Sequence, residues 1–261
     1  MSNIPNEYHF IWGLTPPGIG KPFVMVHYIA IVSCYNVNKP DKINFYYAYE
    51  PSGPWWEKAK SLLNLIQVFP PIHVYGRRLE HAAHKADVLR LEILLEKGGV
   101  YLDLDVLSIR SFADLLDMHL VMGEEYEVGL CNAVILAEPN SRFIKAWLSS
   151  YESFDEANWN EHSVRVPMRL SGSMPEVRVM DHRKFFWPIY SRKEDLRNFL
   201  MFEGSDFCSE SYCVHLWESV TWDFISVLEP ADLWMSESEF FLLARKHLIP
   251  VGHDDPPFTR S

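Results

Sequence analysis

The sequence of 261 residues has few cysteines and no long apolar segment. Its four cysteines never form a C-x-x-C pair, which argues against a disulfide framework and a cysteine-based zinc site. The most apolar run, residues 23–32, is about half the roughly 20 residues that a membrane-spanning helix needs. The N-terminus also lacks the pattern of a signal peptide. We therefore expect a reduced, cytoplasmic protein without an integral membrane segment, and leave peripheral membrane association open.

Basic residues are in the minority. The 24 Lys and Arg against 35 Asp and Glu give a net charge of −11. This balance predicts that nucleic acid is not a partner, because proteins that bind a phosphate backbone normally carry a basic surplus. Repeats, low-complexity tracts and Ser/Gly linkers are also missing, so we expect a single domain over residues 1–261. The motifs of serine hydrolases, P-loop proteins and dinucleotide-binding proteins are not found.

Aromatic residues, in contrast, are abundant. They make up 14% of the chain, with nine Trp, twelve Tyr and sixteen Phe. Aromatic side chains fill cores, but they also stack on the flat faces of bases and sugars. The composition therefore gives a weak indication of such a ligand.

Strand-like and helix-like segments alternate along the first half of the chain. Because strands separated by helices pair in parallel, this order predicts an α/β sandwich. Ligands of such sheets bind at the carboxyl ends of strands, which draws attention to residues 12–13 and 103–105. The predicted strands cover residues 8–12, 42–49, 72–75, 100–104, 133–137 and 212–216, and the predicted helices cover residues 23–35, 55–65, 81–97 and 141–151.

The strongest local signal is the segment GGVYLDLD at residues 98–105. In a strand, Asp103 and Asp105 would point to one side, about 6.6 Å apart along the backbone. Two such carboxylates repel each other unless a cation neutralises them, and Mg²⁺ and Mn²⁺ prefer oxygen ligands of this kind. The alternative is a strand that ends in two solvated acids.

A second pair of charged residues precedes this segment. Asp87 and Arg90 are three positions apart and share one face of the predicted helix. If that helix packs beside the strand, its polar face approaches the strand end that carries the acids. The alternative is a surface ion pair, which contributes only a few tenths of a kcal/mol.

Four blocks of the chain occur in an order known from one enzyme family. They are YHFIWG at residues 8–13, D-x-x-R followed by G-G-x-Y-x-D-x-D at residues 87–105, an Asn followed by small apolar residues at 132–135, and H-x-W at 215–217. The chain thereby resembles glycosyltransferases that carry a DXD motif. Within them it is most similar to the family of bacterial capsular, fungal α-mannosyl and animal α-1,4-galactosyl transferases. The clostridial glucosylating toxins are more distant relatives.

This resemblance implies a GT-A fold, a single Rossmann-like α/β/α sandwich with a mixed, mostly parallel sheet. It also implies a metal-dependent, retaining transfer of a hexose from a nucleotide-diphosphate sugar to a glycan acceptor. We favour a UDP-sugar over GDP-mannose as donor and Mn²⁺, or else Mg²⁺, as the metal. A nucleotide-sugar hydrolase, a protein-glycosylating enzyme and an inactive nucleotide-sugar-binding module stay open as alternatives.

The resemblance also assigns donor-binding residues. Trp12 would stack on the nucleotide base, although a core tryptophan is the alternative. Asp87 and Arg90 would hydrogen-bond the transferred sugar, and Tyr101 would line the nucleotide or sugar pocket. Asn132 is the remaining donor-binding candidate.

Three residues are candidates for the metal site. One of Asp103 and Asp105 would bind the metal directly, and the other would orient the ribose or a metal-bound water. His215 would complete the shell, as the histidine of the H-x-W block does in relatives. An imidazole favours Mn²⁺ over Mg²⁺. A histidine packed in the core is the alternative for His215.

Two further histidine clusters are weaker candidates. His81 and His84 share a helix face, but no third ligand lies nearby in the sequence, so we expect them to face solvent. The residues 253–255 (HDD) suggest a solvated tail. Residues 159–207 contain no motif that we can assign, which leaves the acceptor side undefined.

Overall fold

The computed structural model describes residues 3–204 and 206–248. Strands and helices alternate through most of this part of the chain. The strands are β1 (Glu7–Ile11), β2 (Lys42–Tyr47), β3 (Asn64–Gln67), β4 (His73–Val74), β5 (Arg77–Arg78), β6 (Gly99–Leu102), β7 (Val106–Ser108), β8 (Leu120–Glu125), β9 (Gly129–Ala137), β10 (Val177–Met180) and β11 (Cys213–His215). The helices are α1 (Met25–Asn38), α2 (Pro54–Ala59), α3 (Ala82–Lys97), α4 (Arg142–Ser150), α5 (Val166–Ser171), α6 (His182–Phe185), α7 (Lys193–Met201), α8 (Glu218–Ile225) and α9 (Glu239–Leu248).

Seven strands form the central sheet, in the order β10-β8-β9-β6-β1-β2-β3. Strands β6, β1, β2 and β3 are parallel to one another, and β10 is parallel to β8. Strand β9 runs antiparallel to both of its neighbours, β6 and β8. The prediction of a mixed, mostly parallel sheet is confirmed.

Helices cover both faces of this sheet. Successive strand residues point to opposite sides, so Phe10 and Phe45 belong to one hydrophobic cluster while Ile11 and Tyr46 belong to the other. The first cluster includes apolar residues of α1, α2, α7 and α9, and the second includes those of α3 and α4. This arrangement confirms the predicted α/β/α sandwich.

Two glycines connect α3 to β6 in a tight turn. Gly98 and Gly99 have φ angles of +65° and +100°, values that side-chain-bearing residues rarely adopt. A Cβ on Gly99 would lie 2.5 Å from the carbonyl oxygen of Glu7 and 2.7 Å from Nε2 of His9. The turn therefore allows β6 to enter the sheet directly beside β1.

A second, two-stranded sheet lies beside the end of β6. Strand β11 pairs antiparallel with β7, and His215 lies opposite Val106. This pairing brings a segment from late in the chain to the residue that follows Asp105.

Several predicted elements differ from the structure. The helix predicted over residues 55–65 ends early, and residues 64–67 form β3, because a short apolar run suits either period. The predicted strand at 72–75 is only a two-residue strand of the β4–β5 hairpin, outside the central sheet. The strand predicted at 133–137 begins at Gly129 and is antiparallel, whereas alternation with helices predicted parallel pairing.

None of the helices within residues 3–204 and 206–248 is both long and apolar enough to cross a bilayer.

Candidate functional site

Asp103 and Asp105 lie in a turn, and not on a strand as predicted. Strand β6 ends at Leu102, and the amide of Val106 donates a hydrogen bond to the carbonyl of Asp103 at 3.1 Å. Leu104 points into the core between the two acids. The side chain of Asp103 is 28% exposed and that of Asp105 only 8%. The turn thus presents one carboxylate to the surface and holds the other inside.

His215 completes a group of three potential metal ligands. Its Nε2 lies 3.1 Å from Oδ1 of Asp105, and one ligand atom from each of Asp103, Asp105 and His215 lies within 4.8 Å of the others. Nδ1 of His215 is buried without a hydrogen-bond partner. Two carboxylates and an imidazole form a donor set that suits Mn²⁺.

Asp105 and His215 perturb each other's ionisation. Burial by itself lowers the pKa of His215, but the Asp105 carboxylate overcomes this effect and raises it above the ordinary value. Burial also opposes the ionisation of Asp105, yet His215 and the Glu218 amide lower the pKa of its carboxyl. Charge separation between the two side chains is therefore favoured, and a bound cation would have to displace the imidazole proton.

Arg90 joins Asp87 to Asp103. Its guanidinium lies 3.1 Å from the carboxylates of both residues and also donates to the carbonyl of Asn132 at 2.8 Å. Asp87 and Arg90 are 7% and 5% exposed, so the alternative of a solvated surface ion pair is wrong. The polar face of α3 does pack beside the end of β6, as expected.

Tyr101 and Asn132 connect to the same network. The Tyr101 hydroxyl donates to Asp103 Oδ1 at 2.7 Å, and its ring lies under the Arg90 guanidinium at 4.4 Å. The Asn132 amide donates to Asp87 Oδ1 at 2.7 Å. Tyr101 is 1% exposed and lines neither of the two cavities described below, in contrast to its predicted place in the pocket wall. Tyr101 is therefore a buried residue that contacts Asp103 through its hydroxyl group.

Two cavities lie near this turn, and of the two only the smaller one is lined by any of the three potential metal ligands. The larger one measures about 900 Å³ and is lined by Trp12, the loop of residues 13–23 and Glu218. The smaller one measures about 380 Å³ and is lined, among others, by Asp87, Arg90, Asp103, Asn132 and His215. Ala83 lines both cavities, so they are neighbours.

Comparison with known proteins identifies the family. Residues 22–126 match the family described as a glycosyltransferase sugar-binding region containing a DXD motif. Glucan organizing enzyme 1 of Cryptococcus neoformans var. grubii is 37% identical to this chain over an alignment of 272 positions. The alignment covers 98% of this chain and 74% of that protein. The chain belongs to the DXD-containing glycosyltransferases. The prediction of a glycosyltransferase is confirmed.

The predicted GT-A fold is confirmed for this glycosyltransferase, and one solved glycosyltransferase structure shares it. The structure of glycosyltransferase GlyE from Streptococcus pneumoniae TIGR4 superposes with a TM-score of 0.50 at 13% identity, covering 93% of this chain and 63% of that one.

Several cavity residues of the glycosyltransferase were not predicted. Trp159, Tyr190 and Glu125 line the smaller cavity, and Trp159 is 53% exposed. Burial raises the pKa of Glu125, although the hydrogen bonds of its carboxylate with Cys131 and Tyr190 act to lower it. The local sequence around Glu125 contains three acids and resembles a solvated loop, so only the fold reveals that this one turns inward.

Glu218 and His27 were also missed. The backbone N–H of Glu218 donates to Asp105 Oδ2 at 2.7 Å, and its side chain lies 3.0 Å from Nε2 of His27. The ring of His27 packs against Trp12 at 4.4 Å. Trp12 itself lines the larger cavity and packs, partly buried, against the hydrophobic core, so its stacking on a nucleotide base stays a prediction.

The prediction that His81 and His84 face solvent is wrong for His84. This residue is 3% exposed, and its Nδ1 lies 3.0 Å from the Glu156 carboxylate. Nδ1 of His81 instead accepts a hydrogen bond from the Ala83 amide at the start of α3. Residues 253–255 lie outside the described residues.

Proposed function

We propose that the chain is a metal-dependent, retaining glycosyltransferase that moves a hexose from a nucleotide-diphosphate sugar to a glycan. We favour a UDP-sugar over GDP-mannose and infer one catalytic domain over residues 1–261. One observation carries the proposal: Asp103 and Asp105 share the turn after β6 and His215 belongs to the distant strand β11, yet their ligand atoms lie within 4.8 Å of one another. Asp103 and His215 line the smaller cavity, and the larger cavity adjoins it at Ala83.

The donor would occupy both cavities. The nucleotide base would stack on Trp12 in the larger one, where the ring of His27 packs against the ring of Trp12. The sugar would enter the smaller one, where the polar atoms of Asp87, Arg90 and Asn132 are fixed by their mutual hydrogen bonds. Fixed partners reduce the entropy that is lost when the sugar binds.

Asp103, Asp105 and His215 would hold the divalent cation. When bound, such an ion would act as a Lewis acid and neutralise the charge of the leaving diphosphate. Tyr101 and Arg90 orient the carboxylate of Asp103, and the Glu218 amide orients that of Asp105. The carboxylates therefore need little rearrangement to bind.

Retention of configuration would follow from displacement on one face of the sugar. The bond from C1 to the diphosphate oxygen breaks, and an acceptor hydroxyl forms the new C1–O bond on the same face. The hydroxyl proton passes to the departing phosphate oxygen. Glu125 lines the smaller cavity, and this displacement requires no nucleophilic attack by its carboxylate.

A glycan is the favoured acceptor. Trp159 stands half exposed at the smaller cavity, and flat aromatic faces stack well on sugar rings. The name of the Cryptococcus relative refers to a glucan, which supports an acceptor of this class.

A thermal-shift panel tests the proposal. UDP-hexoses and GDP-mannose are added to the protein with Mn²⁺ or with EDTA. A ligand at a hundred times its dissociation constant stabilises the fold by about 2.7 kcal/mol. We expect a higher melting temperature with a UDP-hexose and Mn²⁺ together. The absence of a shift with every nucleotide sugar would contradict the donor assignment.

A further inference from the structure

The two cavities contain few positive charges for a ligand that would carry one negative charge on each phosphate. Among the described residues that line them, the lysines and arginines are Lys21 and Arg90. Arg90 already lies 3.1 Å from both Asp87 and Asp103, and its side chain is 6% exposed. Lys21 is thus the cation whose position leaves it accessible to a diphosphate.

Lys21 is connected to Asp105 through Glu218. Its Nζ is 2.7 Å from Oε1 of Glu218, and the backbone N–H of Glu218 donates to Asp105. The Lys21 ammonium also stands over the ring of Trp222, at 4.6 Å from its centroid. The loop between β1 and α1 therefore places a positive charge beside Glu218, the residue whose backbone amide contacts Asp105.

Glu218 does not depend on Lys21 for its position. Nδ1 of His27 accepts a hydrogen bond from the Val24 amide at 3.1 Å, so Nε2 carries the proton and donates to Oε2 of Glu218 at 3.0 Å. The Lys21 side chain is 38% exposed, and an ion pair of this exposure contributes little to stability. Lys21 can therefore exchange Glu218 for a diphosphate at a low cost in free energy.

We propose that Lys21 binds the diphosphate of the donor. Without donor, Glu218 binds the ammonium group of Lys21 and positions it at the cavity. The inference rests on the proposed function, because it requires a nucleotide-diphosphate ligand. On binding, the ammonium leaves Glu218, which keeps its hydrogen bond from His27. The positive charge then stands beside the group on which negative charge accumulates as the sugar departs.

Calorimetric titration with a graded ligand series tests the role of Lys21. UDP, UMP and uridine, and the matching guanosine series, are titrated into the wild type, Lys21→Met and Lys21→Arg in the presence of Mn²⁺. Lys184→Met is the matched control, because Lys184 pairs with Glu210 at 2.7 Å and lines neither cavity.

We expect Lys21→Met to weaken the diphosphate by about tenfold to a hundredfold, the effect of one charged hydrogen bond. The nucleoside should bind within about twofold of its wild-type affinity, which also shows that the variant is folded. Lys21→Arg should retain most of the diphosphate affinity, and Lys184→Met all of it.

Two results would overturn the inference in distinguishable ways. If the wild type binds a diphosphate and Lys21→Met binds it equally well, or loses the nucleoside to the same extent, Lys21 does not contact the diphosphate. If the wild type binds neither UDP nor GDP, the proposed donor class is wrong, and the role of Lys21 is rejected with it.

Discussion

The imidazole of His215 lies 3.1 Å from the carboxylate of Asp105, although 110 residues separate them in the sequence. The register of β11 against β7 produces this contact, because it places His215 opposite Val106. The same turn carries Asp103, so a late segment of the chain completes a group that begins at the end of β6. The metal site that we propose therefore depends on a small sheet outside the central one.

Manganese binding should require both aspartates. Asp103→Asn and Asp105→Asn preserve side-chain shape but remove a negative charge that a cation needs. We expect each variant to bind Mn²⁺ at least about tenfold more weakly, as measured by the electron paramagnetic resonance of free Mn²⁺. Asp105→Asn should also unfold at a lower temperature than Asp103→Asn, because only Asp105 is a buried partner of His215.

Asp117→Asn serves as the control for these variants, since Asp117 is exposed and outside the three-residue group. Wild-type Mn²⁺ affinity in both Asp103→Asn and Asp105→Asn would contradict the metal site.

Replacing Arg90 by alanine should destabilise the fold. The change leaves the carboxylates of Asp87 and Asp103 without their shared positive charge in a largely buried setting. We expect the free energy of unfolding to fall by about 3–5 kcal/mol, as measured by urea titration. Arg192→Ala breaks another Asp–Arg pair three residues apart, but Arg192 is 55% exposed, so its loss should stay within about 1 kcal/mol. Equal losses of unfolding free energy in Arg90→Ala and Arg192→Ala would show that Arg90 does not act as a buried connection between Asp87 and Asp103.

The parts of the fold that depend on local periodicity could be predicted from the sequence. The helix that is capped by Gly98 and the strand β6 that follows it could be predicted from side-chain spacing and the glycine turn. The three acids around Glu125 and the segment containing Trp159 carry no such period. Their places in the smaller cavity arise from contacts between distant segments, which no local pattern reports.

The same limit applies to the two acids of the DXD motif. Strand alternation predicted that Asp103 and Asp105 share a face, but they converge because the chain turns after Leu102. The two acids therefore do lie at one site, as predicted, but a turn and not strand alternation brings them together.

Acid should destabilise the protein through His9. Burial lowers the pKa of His9 from 6.5 to about 4, despite its hydrogen bond with the Gly98 carbonyl. The folded-state pKa is lower than the unfolded one, so this contribution to stability is fully present above pH 6.5 and is lost progressively as the pH falls towards 4. The shift corresponds to about 3 kcal/mol.

His9→Gln removes the titrating group and retains a donor for Gly98. Urea titrations at several pH values should therefore give the variant a shallower loss of stability between pH 6.5 and 4 than the wild type. The buried His247 has a similarly lowered pKa, but its contribution is common to both proteins and cancels in the difference. Identical pH profiles would show that His9 does not titrate in this range.

The glycine turn before β6 should tolerate no side chain. Gly99→Ala introduces both an unfavourable φ of +100° and a Cβ 2.5 Å from the Glu7 carbonyl oxygen. Gly204→Ala introduces only the unfavourable φ, because nothing lies within 4 Å of its Cβ. We expect Gly99→Ala to lower the free energy of unfolding by about 1–3 kcal/mol more than Gly204→Ala does. Equal losses in urea titrations would mean that the close approach of β1 contributes nothing.

Nucleotide release from a nucleotide sugar tests the central claim most directly. The wild type and Asp103→Asn are incubated with UDP-hexoses and GDP-mannose, with Mn²⁺ or EDTA, and free UDP or GDP is measured over time. We expect release from a UDP-hexose that EDTA abolishes, that added Mn²⁺ restores, and that falls by at least about a hundredfold in Asp103→Asn. Release that persists in EDTA and is unchanged in Asp103→Asn, or no release from any donor, would contradict a metal-dependent transferase built on this turn.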